Sequence, residues 1–225
     1  MSRGEVPPCR CPTLKHVRGE QVVMQTILIL VALLVVWAAV YYGHWVLVRR
    51  RFVAISPGRV YQSGAMRPRR LLQYARRYQI ATVIDFRGAH EEGVQVEGQA
   101  LAGTGVRHIN IPIGILPGQE ELQRFIEVMT DELIAGRRVL IHCKDGEGRA
   151  IALAAIYRIE FEGWGAVEAY RAATRLPPGF KFISMVFPRA GLLSPRNCKT
   201  QFILSYRASQ PALAVRGEVW VGETV

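Results

Sequence analysis

The sequence predicts an α/β fold, a central and mostly parallel sheet flanked by helices, preceded by one transmembrane helix. Three observations carry this. From residue 52 onward, strand-length apolar runs alternate with helix-length amphipathic runs. An almost unbroken apolar stretch occupies residues 22–42. A cysteine, Cys143, closes a short apolar strand, and a glycine-spaced loop then leads into an alanine-rich helix, the place where open α/β sheets bind ligands.

Taken in chain order, residues 1–20 contain Pro7, Pro8 and Pro12 without apolar periodicity and read as a disordered tail, with Met24 as an alternative start. Cys9 and Cys11 form a CxC pair, too little for a metal site. Residues 22–42 are apolar apart from Gln25 and Thr26. At ~1.5 Å per residue they reach roughly 30 Å, the thickness of a bilayer's hydrocarbon core. Trp37, Tyr41, Tyr42 and Trp45 cluster at the far end as an interfacial belt does, and Arg49, Arg50 and Arg51 follow. The stretch is too long for a signal peptide and has no polar stripe for a buried helix. Residues 21–48 therefore read as a single-pass membrane helix with its flank. The arginines, and the need to keep a thiol reduced, favour a cytoplasmic place for the chain beyond residue 48.

Residues 49–209 read as one domain, the anchor and tail leaving about 170 residues, enough to bury a core. Residues 52–55 and 59–61 are expected as strands joined at Pro57-Gly58, and 68–78 as a helix with Leu71, Leu72, Ala75 and Tyr78 opposite Arg69, Arg70, Arg76 and Arg77. Strands over 80–86 and 106–113 come next, with a helix between them. A helix over 120–135 is stopped by Gly136, and strand 139–142 and helices 150–161 and 164–176 complete the alternation. Beyond Pro177-Pro178, residues 180–187 are expected as a strand or irregular cover, 197–207 as a helix, and 210–225 as a loose tail.

Chemistry concentrates in residues 137–150, RRVLIHCKDGEGRA. Gly146 and Gly148 let the turn fold tightly, so that the backbone N–H groups of Lys144, Asp145, Gly146, Glu147 and Gly148 can converge at a helix N-terminus. Such a nest binds an oxyanion and stabilises a thiolate placed beside it, which makes Cys143 the candidate nucleophile. Arg149 supplies a planar, permanently charged guanidinium that grips two phosphoryl oxygens. His142, Cys143, Gly146 and Arg149 resemble the HCxxGxxR signature of the cysteine-based protein tyrosine phosphatase superfamily. RVYQSGAM at 59–66 and ATVIDFRG at 81–88 are similar to segments of its compact, dual-specificity-like members. The resemblance, over about residues 52–175, implies the cysteine-phosphatase fold, a cysteinyl-phosphate intermediate, thiolate tuning by His142, and no metal or cofactor.

The chain departs from that pattern twice. Ala150 stands where the family usually has Ser or Thr, a hydroxyl thought to assist the thiolate as leaving group. There is also no Asp between Asp85 and Asp131, where the family's general acid is expected. The loop in that place, 114–118, reads GILPG, and Glu120 and Glu121 beyond it fit a helix's first turn. Asp145 is the alternative acid, since an acid within the loop resembles myotubularin-type and Sac-type phosphatases. Glu147 is a further one, and both equally suit a solvated outer side. Asp85 and Arg87 read as structural residues, His90, Glu91 and Glu92 as a loop without metal-ligand spacing, and His108 as a strand residue.

The formal charge of +11 concentrates in the juxtamembrane arginines and the helix over 68–78, where it suits anionic lipid. No recognition motif or stacking platform accompanies it, which argues against nucleic acid. The expected activity is hydrolysis of phosphomonoesters at a membrane, on a protein carrying phosphotyrosine or phosphoserine/threonine. The alternatives are a lipid or inositol phosphate substrate, or a pseudophosphatase that binds phosphorylated partners with little turnover.

Overall fold

The computed structural model describes residues 14–91, 93–173 and 198–208; the regions expected at 180–187 and 210–225 lie outside them. The chain divides into two compact units, Met1–His44 and Trp45–Val225. In the first, helix α1 (Leu14–Gly43) starts inside the stretch expected as a disordered tail, because Pro12 is the last proline before it and nothing stronger than Gly19 interrupts the run. From Val22 to Trp37 its large apolar side chains are exposed around the whole circumference. Residues Gln21–Val48 are long and apolar enough to cross a membrane.

In the second unit a hairpin forms first. β1 (Val53–Ser56) and β2 (Val60–Gly64) pair antiparallel across a turn in which Gly58 takes φ 74°. α2 (Pro68–Tyr78) begins with proline in its first turn, buries Leu71 and Ala75, and turns its arginines outward. β3 (Ile80–Asp85), α3 (Val94–Leu101), β4 (Arg107–Asn110), α4 (Gln119–Ile134), β5 (Arg138–Cys143), α5 (Arg149–Phe161), α6 (Ala166–Ala172) and α7 (Cys198–Ser205) complete the unit. β4 is shorter than expected. Pro112 cannot donate to a ladder, so Ile111 and Ile113 bond to Asp85 O and Phe86 O as buried extended chain instead.

The sheet order is β1-β2-β5-β3-β4, with every pairing beyond the first hairpin parallel. β5 is central and apolar on both faces. Val139 and Ile141 join Phe125, Met129 and Leu153 in one core, while Leu140 joins Leu71, Leu101 and Val83 in the other. α5 is buried along almost its whole length, which explains why its sequence shows no polar face. The consequence is positional: the strand that ends in Cys143 is buried from Val139 to its end and lies at the centre of the sheet.

Candidate active site

Residues 144–148 form the turn from β5 into α5. Cys143 ends β5, is 3% exposed, and shares a core cluster with Ile141 and Ala150. Gly64, at the end of β2, lies opposite it, and Ala65 N–H donates to Cys143 O (2.7 Å) and Lys144 O (3.0 Å). The two backbones almost touch: a Cβ on Gly64 would sit 2.9 Å from Asp145 C, and one on Gly146 would sit 2.6 Å from Gly64 N. Gly146 also takes φ 72°, a conformation costly for any residue with a side chain. Among the described residues, the N–H groups of Lys144, Asp145, Gly146, Glu147 and Gly148 donate to no protein acceptor. With the start of the 13-residue helix α5 they form a nest suited to an anion.

Arg149 opens α5 and is fixed from the opposite side. Its Nη1 donates to Phe86 O (3.0 Å), Ile113 O (3.1 Å) and Glu91 Oε1 (2.5 Å), and its Nη2 reaches Glu91 Oε2 at 3.3 Å. Glu91 also accepts from Gly88 N–H at 2.8 Å. The arginine holds the Glu91 carboxyl below its ordinary range, which keeps it an anion at neutral pH. A cleft of about 530 Å³ opens beside Arg149, walled by Glu91, Ile113, Ile115 and Lys199. Gly114 and Ile115, from the loop without a carboxylate, thus bring apolar surface to the mouth of the site.

Beneath the loop lies a buried charge network. His142 Nε2 is 2.7 Å from Glu97 Oε1. Arg87 donates to Asp85 Oδ2 (2.7 Å) and Glu97 Oε2 (2.8 Å), and His108 Nε2 lies 3.4 Å from Glu97 Oε1 and 3.7 Å from Asp85 Oδ2. Burial pushes both carboxyls up, but the cations outweigh it. Asp85 falls well below the carboxylate range, chiefly through His108, His142 and Arg87, and Glu97 is held at about 2, chiefly through His108 and His142. Asp85, first, and Glu97 in turn lift His108 to about 9. Donor atoms of Asp85, Glu97 and His142 lie within 4.8 Å of one another, yet Arg87 and His108 already supply the cations these carboxylates face.

Arg50 and Arg51, expected only as interfacial charges, fold onto the loop. Arg50 donates through Nε to Ala65 O (2.8 Å) and through Nη2 to Lys144 O (3.2 Å), while its own carbonyl accepts from Gly64 N–H (2.7 Å). Arg51 donates to Asp145 O (2.9 Å) and pairs with the Glu147 carboxylate. Both take left-handed backbone, φ 49° and 54°, a strain of order 1–3 kcal/mol each that these bonds offset.

Among the residues singled out from the sequence, His142, Cys143, the loop of residues 144–148 and Arg149 follow one another through the strand-to-helix turn, and the Arg149 guanidinium, expected to grip phosphoryl oxygens, is turned to Glu91, Phe86 O and Ile113 O. Lys144 and Asp145 are exposed, and the Asp145 carboxylate accepts no hydrogen bond within the described residues. Glu147 is taken up by Arg51. Glu120 and Glu121 sit in the first turn of α4 beside a different groove. Glu91, Glu97 and Lys199 were not legible as site residues. Only Glu97 left a signal: Val94, Glu97 and Leu101 share one helix face, so a carboxylate stands among core positions.

The family described as DSP-PTPase phosphatase fused to NAD+ kinase matches residues 59–176, just over half of the chain. Protein phosphatase Slingshot homolog 3 of Rattus norvegicus is 39% identical over 72 residues, 29% of this chain, and the chain spans only 11% of that relative's length. Among solved structures, a mutant form of Tk-PTP superposes with a TM-score of 0.53 at 22% identity, over 68% of this chain and 91% of that one. PTPMT1 superposes with a TM-score of 0.50 at 16% identity, over 68% and 90%. The likeness to these two structures is one of fold.

Proposed function

Because the chain belongs to the dual-specificity-type family of cysteine phosphatases, we propose that it is a membrane-anchored enzyme that hydrolyses phosphomonoesters on phosphorylated proteins. One observation carries the reading: Cys143 ends the central strand beside loop amides that donate to no acceptor within the described residues, and Arg149 opens the helix that follows. In the proposed reaction Cys143 Sγ attacks phosphorus, an S–P bond forms, and the ester P–O bond breaks as Asp145 protonates the departing oxygen. Water then attacks phosphorus, the S–P bond breaks, and Asp145 takes up the water's proton. The N–H groups of residues 144–148 hold the non-bridging oxygens throughout, and Arg149, whose Nη1 is committed to Glu91, Phe86 O and Ile113 O, joins them through Nε and the rest of Nη2. Asp145 suits the acid's part better than Glu147 or Glu91, since arginines already occupy those two. Glu91 orients Arg149, and His142 with Glu97 steadies the strand end behind the thiol. The chemistry calls for no metal or cofactor.

A protein substrate is favoured by the local identity to a relative named a protein phosphatase, and the anchor by the length and composition of α1, with the catalytic unit on the cytoplasmic side. A lipid or inositol phosphate would use the same nest. Ala150 and the loop lacking an acid favour one other reading, a pseudophosphatase that binds phosphorylated partners with little turnover. The test is phosphate release from an aryl phosphate by the full chain in detergent, beside Cys143→Ser and Asp145→Asn. Turnover abolished by the first variant supports the enzyme, and Asp145→Asn should flatten the limb of the pH profile that this acid's ionisation sets. No turnover by the parent, with vanadate still bound, would move the reading to the pseudophosphatase.

A further inference from the structure

The catalytic reading leaves one charged cleft without a role. Its volume is about 860 Å³, and its walls include Leu47, Arg50, Arg67, Arg69, Arg70 and Gln73, with no carboxylate among its lining residues. The guanidiniums of Arg67, Arg69 and Arg70 make no hydrogen bond or ion pair within the described residues. Like charges gathered without a counter-ion repel one another, and an anion seated among them would relieve that repulsion. Leu47, at the rim, is 71% exposed. An apolar rim beside guanidiniums matches the boundary between acyl chains and headgroups. Leu47 is also the next-to-last residue of the candidate span Gln21–Val48, so this rim residue itself reaches headgroup level where that span crosses a bilayer.

We propose that this cleft binds the phosphate of an anionic phospholipid headgroup, a proposal that rests on the reading of α1 as a membrane anchor. Arg50 gives the site its link to the rest of the molecule. Its Nε and Nη2 are committed to Ala65 O and Lys144 O, and its Nη1 remains for the headgroup. One guanidinium therefore joins the lipid to the signature loop, and a bound headgroup steadies the loop it touches. Among the lining residues there is no aromatic side chain on which a nucleic acid base would stack.

The test uses the full chain reconstituted into phosphatidylcholine vesicles, with spin-labelled phosphatidylglycerol or phosphatidylcholine as the probe. Arg69→Gln/Arg70→Gln removes two charges from the cleft. Arg76→Gln/Arg77→Gln removes two exposed charges from the last turn of the same helix. The parent should prefer phosphatidylglycerol by about tenfold, on the scale of one or two charges near a membrane surface. That preference should fall to about parity in the first variant and change by less than about twofold in the second. Parity in the parent, or equal losses in both variants, would overturn the site. Displacement of the labelled lipid by millimolar inorganic phosphate would assign the cleft to free phosphate and overturn the lipid. If the chain fails to float with neutral vesicles, the anchor itself falls and takes this proposal with it, whatever the outcome of the aryl phosphate assay.

Discussion

Replacing Gly64 by alanine adds a methyl group that has no place to go unless the signature loop moves. Gly64 does not use a left-handed backbone, so the strand itself accepts alanine and the whole penalty comes from contact. The added Cβ would meet Asp145 C at 2.9 Å, Asp145 O at 3.0 Å and Gly146 N at 3.3 Å. All three are backbone atoms, which cannot rotate away as a side chain would. Opening the shortest contact from 2.9 Å to an ordinary 3.4 Å displaces the loop by 0.5 Å. A 1 Å misplacement of reacting groups costs about a hundredfold, so half of that should cost about tenfold in kcat/KM. Overpacking should add about 1–3 kcal/mol of destabilisation. The assay is aryl phosphate hydrolysis with inorganic phosphate as competitive inhibitor, run beside thermal unfolding. A variant whose kcat/KM and phosphate affinity stay within about twofold of the parent, while its Tm falls, would show that the strain is absorbed elsewhere and refute the argument.

The same geometry sets three further outcomes. His108 sits at about 9, above its ordinary 6.5, so its network contributes fully below about pH 6.5 and progressively less as pH rises through about 9, by at most about 3 kcal/mol. Urea unfolding should show that decline, and Glu97→Gln should shrink it; an unchanged slope would refute the assignment. Arg51→Ala removes the bond to Asp145 O and the pair with Glu147, and should lower stability by about 1–2 kcal/mol and slow alkylation of Cys143. Arg51→Lys should restore only part of both, because a point charge cannot reproduce the fork, and parental behaviour of the alanine variant would remove the loop-clamping role. Ala150 is fully buried beside Cys143. Ala150→Ser should raise steady-state turnover if breakdown of the cysteinyl phosphate limits the rate, at about 1 kcal/mol in stability. Stopped-flow traces with an unchanged steady phase would exclude that.

The parts of this site that the sequence discloses are those whose residues are chain neighbours. Cys143, Gly146 and Arg149 lie within one turn, so their spacing alone describes a nest, and the apolar runs on either side place it at a strand end. A short apolar run at residues 139–142 and helical spacing along 122–133 were enough to place a strand and a helix, though not the order of strands in the sheet. Glu91 could not be found that way. It reaches Arg149 across 58 positions, and a carboxylate in a glycine-flanked loop looks the same whether it is solvated or paired. Arg50 and Arg51 illustrate the opposite difficulty. A basic triplet after an apolar span already has an adequate explanation at the interface, and the left-handed turn that aims two of its members at the loop leaves no mark in residue type. β4 ended early for a local reason, Pro112, that periodicity counts do not weigh.

The sheet order also dictates when this protein can begin to work. β5 lies between β2 and β3, yet among the described residues it is the last strand to be made. Until it is made, the β1–β2 hairpin and the β3–β4 pair are two separate halves with no shared hydrogen bond. Pairing β2 with β5 closes a loop from Gln62 to Ile141, an entropic cost met only when the central strand inserts. The residues that support the loop, Arg50, Arg51 and Gly64, are therefore all synthesised before Cys143. Assembly of the sheet and assembly of the thiol site are one event, so a nascent or partly folded chain carries no half-formed nucleophile.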